Sequence, residues 1–280
     1  MEERMMEINV TVNRRTLFPR PVPFERLLLD GMNYGVRRNG EFHAGTAAAD
    51  HVFAYNENRI ARGIAIRWNP QEISYTGLSL KLPTSSEEME DFFLMVAHLA
   101  RQDICEVAFN GEPFLPKMFH KTKEQMQIYN LRLLHDLMGQ ILNEEIPFCR
   151  FDCVFYPIHA GKQEAEYMWA GISTDAFRNW MDECQRPYAY YAEENFEAAG
   201  DSAALTIPCG RQVIVPRASD TLQVRLIDPE TEKTIGILPL SGFLAGYALD
   251  EVSRFDETHV GVRAPEISEI PRRFPQMEKQ

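Results

Sequence analysis

Apolar and polar residues alternate most clearly between residues 61 and 82. Ile64, Ile66 and Trp68 share one face of a strand over 62–68, and Tyr75, Leu78, Leu80 and Leu82 are the apolar positions of a second over 73–82. Asn69-Pro70-Gln71-Glu72 separates them with turn composition, so the pair reads as an antiparallel hairpin. Pro83 ends the second strand. Ser85 and Glu88 then have capping-box spacing, and acids crowd the first turn, where a helix dipole favours them. Met89, Phe92, Phe93, Val96, Ala97, Leu99 and Ala100 follow at helical spacing and predict a broad buried face.

The same period-2 pattern predicts strands over 6–13 and 104–109. Residues 14–23, basic and Pro-rich, read as a loop. A short helix over 24–29 stops at Asp30-Gly31, and 35–45 reads as an exposed hairpin turning at Asn39-Gly40. The longest helix is expected over 122–142, with Met126, Tyr129, Leu133, Leu134, Leu137, Met138 and Ile141 on its buried stripe. Residues 150–157 and 164–172 read as two more strands. The second runs into Ser173-Thr174-Asp175 and a helix through Cys184 that turns Phe177, Trp180 and Met181 inward. Strands follow over 212–216, 221–227 and 233–240, the last two joined by a turn at Asp228-Pro229-Glu230, and then a helical turn over 242–250. The tail from Ala264, with Pro265, Pro271 and Pro275, reads as extended or frayed.

The expected fold is therefore α+β, with antiparallel sheets packed against a few amphipathic helices. A strand, a Ser/Thr cap and an aromatic helix occur near 80–100 and again near 167–184. That recurrence allows two similar halves, 1–147 and 148–280, as well as one continuous domain.

Charge narrows the partners. The net charge of -12 argues against nucleic acid and anionic membranes, since phosphate binding rests on cationic side chains, and it favours a basic protein partner. Residues 1–40 hold seven Lys/Arg against five acids, so the acidic excess lies beyond them. Cys105, Cys149, Cys153, Cys184 and Cys209 are odd in number and follow no disulfide spacing. With no apolar run of signal-peptide type, a cytoplasmic protein with reduced thiols is expected. Homo-oligomerisation stays open.

Catalytic signatures are missing from the pattern. Cys149, Cys153 and His159 invite a zinc reading, but no CxxC pair or HExxH helix completes four ligands, and the two cysteines read as small apolar residues of one strand face. No metal and no cofactor are expected. There is no GxSxG elbow. His98 and His135, on or beside apolar helix faces, read as satisfied structural histidines. His43 and His51, with Asp50 between them, form the best acid–base grouping. Gly31-Met32-Asn33-Tyr34-Gly35 matches no nucleotide fingerprint, and Ser241–Gly246 reads as a tight turn before a helix rather than an anion site. The partner-binding candidates are Tyr188, Tyr190 and Tyr191 with Glu193, Glu194 and Glu197, where rigid aromatic area and carboxylates suit a basic protein surface.

The block 60–93, above all Ala61-Arg62-Gly63-Ile64, Trp68, Leu82-Pro83-Thr84 and Asp91-Phe92-Phe93, resembles part of a bacterial family of uncharacterised proteins of about this size. The resemblance implies a bacterial cytoplasmic protein of unknown function and brings no catalytic residues with it. The function expected is non-catalytic protein binding, of an adaptor or immunity-like kind. The alternative is an enzyme with an unfamiliar site, a hydrolase using the loop histidines His43 and His51.

Overall fold

A computed structural model describes residues 7–14, 23–47, 52–68, 75–102, 105–170, 174–186, 189–194, 196–199, 202–219 and 221–279. Their fold is α+β, and the chain divides into two compact units, Met1–Val36 with Phe42–Arg186, and Arg37–Glu41 with Pro187–Gln280. The division falls after Arg186, not at the expected 147/148, because the elements between these points pack into the first unit.

The first unit is built on strands β1 (Glu7–Arg14), β2 (Met32–Arg38), β3 (Glu41–Ala44), β4 (Val52–Asn56), β5 (Ile64–Trp68), β6 (Tyr75–Lys81), β7 (Cys105–Phe109) and β8 (Glu112–Pro113). They form a sheet in the order β3-β2-β4-β5-β6-β1-β7-β8. The expected hairpin is present as antiparallel β5 and β6; its turn at 69–72 lies outside the described residues. Register explains the core. Ile8 and Val10 of β1 stand opposite Leu80 and Leu78, which stand opposite Ile64 and Ile66 of β5. Period-2 alternation thus puts one apolar layer on one sheet face. Helix α1 (Ser86–Gln102) covers it with Met89, Phe92, Phe93, Val96 and Leu99, all buried.

The β2–β3 turn has Asn39 at φ 51° and Gly40 at φ 77°, the pair of positive angles that a tight hairpin favours. Arg38 and Asn39 are exposed as expected, but Gly40 is buried. The Tyr191 N–H donates to the Gly40 carbonyl at 2.9 Å, and a Cβ at Gly40 would stand 2.5 Å from the Tyr191 carbonyl oxygen.

Helix α2 (Phe119–Leu142) buries Asn130, Leu134, Leu137, Met138 and Ile141. Beyond it the expected strand over 150–157 is instead a hairpin of β9 (Cys149–Asp152) and β10 (Pro157–Ala160). The expected strand over 164–172 is replaced by helix α3 (Lys162–Trp169). Two features decide it: the Glu164 carboxylate accepts the Gly161 N–H at 3.0 Å at the helix start, and Gln, Glu, Ala and Met are strong helix formers. Helix α4 (Asp175–Gln185) thus follows a helix, so the strand–cap–helix recurrence is absent. Phe177, Trp180 and Met181 are buried as expected.

The second unit holds two sheets. One orders β11 (Tyr190–Tyr191), β14 (Gln212–Pro216), β18 (His259–Arg263) and β17 (Ser253–Arg254). The other orders β12 (Phe196–Ala199), β13 (Ser202–Pro208), β15 (Leu222–Ile227), β16 (Thr234–Pro239) and β19 (Glu278–Lys279). Helix α5 (Leu240–Ala245) buries Phe243 in their core. The tail is docked, not frayed. Helix α6 (Ile270–Arg273) tolerates Pro271 in its first turn, Ile270 and Phe274 are buried, and Phe274 stacks on Phe243 at 5.6 Å. A Cβ on Gly246 would stand 2.2 Å from the Phe274 ring. Gly246→Ala is expected to cost about 1–3 kcal/mol through overpacking, with exchange of the β19 amides speeding first; unchanged exchange there would show that the ring yields. Among the described residues no helix is long and apolar enough to cross a membrane.

Candidate functional site

The acids that open α1 do more than complement its dipole. Glu87 pairs with Arg178 of α4, Glu90 with Lys123 of α2 at 2.6 Å, and Asp91 with Arg59 at 2.8 Å. Ser85 caps the helix by accepting the Glu88 N–H at 3.1 Å, as the capping box predicts. The Glu88 carboxylate does not return to Ser85. It accepts the Gly63 N–H at 2.7 Å, the Arg62 N–H at 3.2 Å and the Thr84 hydroxyl. The α1 N-terminus gains a second hydroxyl from outside the helix, because Thr174 accepts the Ser86 N–H at 3.2 Å.

Arg62 is 1% exposed and completes this buried cluster. Its Nε donates to the Asp152 carbonyl and its Nη1 to the Pro83 carbonyl, both at 3.1 Å, and its guanidinium lies 5.4 Å from the Phe151 ring centre. Asn130 exchanges two 2.8 Å bonds with the Thr84 backbone. Burial raises the Glu88 carboxyl above its usual range, opposed by Thr84, the two backbone N–H groups and Arg62. At Asp152 burial also acts upward, but the ion pairs with Lys81 and Arg150 win and draw it down to about 2. These groups tie strands and helices together, and their bonding capacity is spent on the fold.

Beside the cluster runs an open groove of about 550 Å³ in the first unit. One side of α1 forms a wall through Asp91, Leu94, Ala97, His98 and Arg101, and Leu29, Asp30 and Met32 line it as well. Arg59 and Asn56 complete the lining from the turn after β4. That turn is fixed locally. The Asn56 carbonyl accepts the Arg59 N–H at 3.0 Å, and the Asn56 side chain accepts the Asn58 N–H at 3.1 Å. Arg59 Nη2 holds both Asp91 oxygens, at 2.8 and 2.9 Å. Its Nε is buried without a hydrogen-bond partner among the described residues, an omission that costs roughly 1–3 kcal/mol. Burial raises the Asp91 carboxyl, against the pull of Arg59. Leu94 is 46% exposed on the groove wall.

The second unit carries its own charged cluster. Asp256, fully buried, accepts the backbone N–H groups of Thr258 and His259 at 2.8 Å each and stands 3.0 Å from His259 Nδ1. His259 Nε2 lies 3.1 Å from the Tyr191 hydroxyl and 3.3 Å from Glu193, while Tyr191 donates to Glu193 at 2.8 Å. Burial disfavours charge on this imidazole, but Asp256 and Glu193 raise it to about 9. That shift favours the imidazolium at neutral pH, with a donor on each nitrogen.

Of the expected partner-binding residues, Tyr190 and Tyr191 are buried, so neither forms the exposed aromatic surface anticipated for them. Glu193 is half-buried and bonded to Tyr191. Tyr188 and the side chains of Glu194 and Glu197 lie outside the described residues. His43 is exposed, and His51 and Asp50 lie outside the described residues. Cys149 and Cys153 are buried as expected of small apolar residues. His98 is half-buried, with Nε2 3.1 Å from the Arg26 carbonyl. His135 departs from the satisfied role: its Nε2 is buried without a partner among the described residues, beneath the Trp169 ring at 5.4 Å. Residues Ser241–Ala245 lie in the six-residue helix α5, and Gly246 is its C-cap.

Fold and sites together define an α+β protein whose ionised clusters are enclosed and whose open groove lies along one helix. Residues 21–207 match the family described as a domain of unknown function, DUF4299. That span exceeds half of the 280 residues, and the chain belongs to this family. No curated protein and no solved structure matches it.

Proposed function

We propose that the protein acts by binding a partner rather than by catalysis, and that the groove along α1 is its binding site. The supporting observation is where the ionisable groups are spent. Glu88, Asp91, Asp152 and His259, all shifted from their ordinary values, are each held by neighbouring protein groups. A catalytic acid or base must instead reach a substrate proton. The groove offers a different inventory: exposed apolar surface at Leu94, charges of both signs, and a partly exposed Arg59 guanidinium. Apolar lining with a few convergent polar groups is what a binding site needs.

The test is NMR mapping of a fragment library on the full chain. Shift changes are expected to cluster at Met32, Leu94 and Ala97. Leu94→Lys, a surface change worth less than about 0.5 kcal/mol in stability, is expected to abolish them. Changes clustered at Tyr191 and His259 would instead move the function to the second unit.

A further inference from the structure

We propose that the groove receives the C-terminal end of an extended, apolar peptide chain, a reading that rests on the groove being the binding site. Its length is set by α1. Asp91, Leu94, Ala97 and Arg101 recur at intervals of three or four residues and make one stripe. Ten residues of helix from Asp91 to Arg101 span about 15 Å. An extended chain of about four or five residues covers that distance at about 3.3 Å per residue. A compact ligand would leave one end of the stripe untouched.

Both ends present donors. Arg101, in the last turn of α1, is exposed and makes no hydrogen bond or ion pair among the described residues. At the other end Arg59, its side chain 37% exposed, commits Nη2 to Asp91, and its Nη1 makes no hydrogen bond among the described residues. A planar guanidinium offers several donors in fixed directions, so Nη2 can hold Asp91 while Nη1 takes a peptide carbonyl. The terminal carboxylate then falls to Arg101, where a two-point bond is available. An N-terminal ammonium would meet like charge there. Between the two arginines, Leu94 and Met32 offer apolar contact for side chains. Asp30 adds a place for one basic side chain, in keeping with the chain's net charge of -12.

Fluorescence anisotropy of the full chain tests this with a five-residue leucine-rich peptide that carries one lysine and an N-terminal dye. The free acid is expected to bind, and the C-terminal amide about tenfold more weakly. Arg101→Gln, an exposed substitution, is expected to bring the acid down to the amide and leave the amide unchanged. Arg59→Gln is the riskier variant, because it strands Asp91. Equal affinities of acid and amide would overturn the proposal, as would an Arg101→Gln protein that still separates them. Displacement by octanoate at the same concentration as the peptide would reassign the groove to a fatty acid. No peptide binding, with fragments still mapping to Leu94, would reject the ligand and keep the site; fragments mapping elsewhere would reject both.

Discussion

Glu88→Ala is expected to destabilise the first unit by about 3–5 kcal/mol, a large part of what holds a domain together. Glu88 is 7% exposed, and its carboxylate is the common acceptor for Gly63, Arg62 and Thr84. Truncation removes all three bonds at once. It also withdraws a negative charge from the neighbourhood of the buried Arg62, whose guanidinium keeps its bonds to the Asp152 and Pro83 carbonyls. Each buried donor left without an acceptor costs about 1–3 kcal/mol. Glu88→Gln keeps the shape and one acceptor oxygen, so its loss is expected near half that of the alanine variant. The measurement is urea denaturation followed by tryptophan fluorescence. All three tryptophans, Trp68, Trp169 and Trp180, lie in the first unit, so the signal reports that unit. A Glu88→Ala loss below about 1 kcal/mol would mean that water reaches the cluster and stands in for the carboxylate.

Sequence patterning reached the parts of this fold that one-dimensional periodicity encodes. Ile64, Ile66, Leu78 and Leu80 alternate because one sheet face is buried, and Phe92, Phe93, Val96 and Leu99 recur because one helix face is. Asn39-Gly40 announced its turn because only such residues take positive φ cheaply. The failures share a cause. Residues 164–169 carry Tyr167 and Trp169 like a strand, yet both are about half exposed, and the start at Gly161 and Glu164 fixed the helix. Prolines in the tail were legible as local breaks, but the burial of Ile270 and Phe274 is a tertiary fact. The same holds for the acids of α1. Four carboxylates in one turn look like dipole complementation, while their partners Arg59, Gly63, Lys123 and Arg178 are scattered along the chain.

The groove was illegible for that reason too. Its walls come from residues 29–32, 56–59 and 91–101, and none carries a motif. Arg59 is an ordinary loop arginine until Asp91 and the buried Nε are seen together. The tyrosine run had the opposite history. Tyr190 and Tyr191 stand out in the sequence as interface residues, yet both are buried in β11, and the Tyr191 hydroxyl is bonded inside the second unit. Aromatic residues serve cores and interfaces alike, and composition alone does not separate the two.

For the second unit, stability is expected to fall as pH rises from about 6.5 to about 9, and Asp256→Asn is expected to flatten that slope, leaving the smaller part due to Glu193. His259 ordinarily titrates near 6.5, and in the fold it titrates at about 9. The folded state thus binds the proton more tightly than the unfolded chain. Its contribution is fully present below the unfolded value and disappears as pH passes through the folded one. A shift of this size corresponds to a contribution on the order of 3 kcal/mol. Deprotonation leaves a neutral ring with one nitrogen lone pair facing the oxygens of Asp256 or Glu193, where a donor stood before. Asp256→Asn is the discriminating change, because the amide oxygen still accepts the Thr258 and His259 N–H groups that shape the loop. Only the charge is withdrawn, so the protein should lose stability at pH 6 and change little at pH 9.5. Hydrogen exchange at the amides of β18 reads this unit apart from the first. Equal wild-type protection at pH 6 and pH 9.5, corrected for intrinsic exchange, would show that the imidazole is neutral and that Asp256 orients it without stabilising a charge.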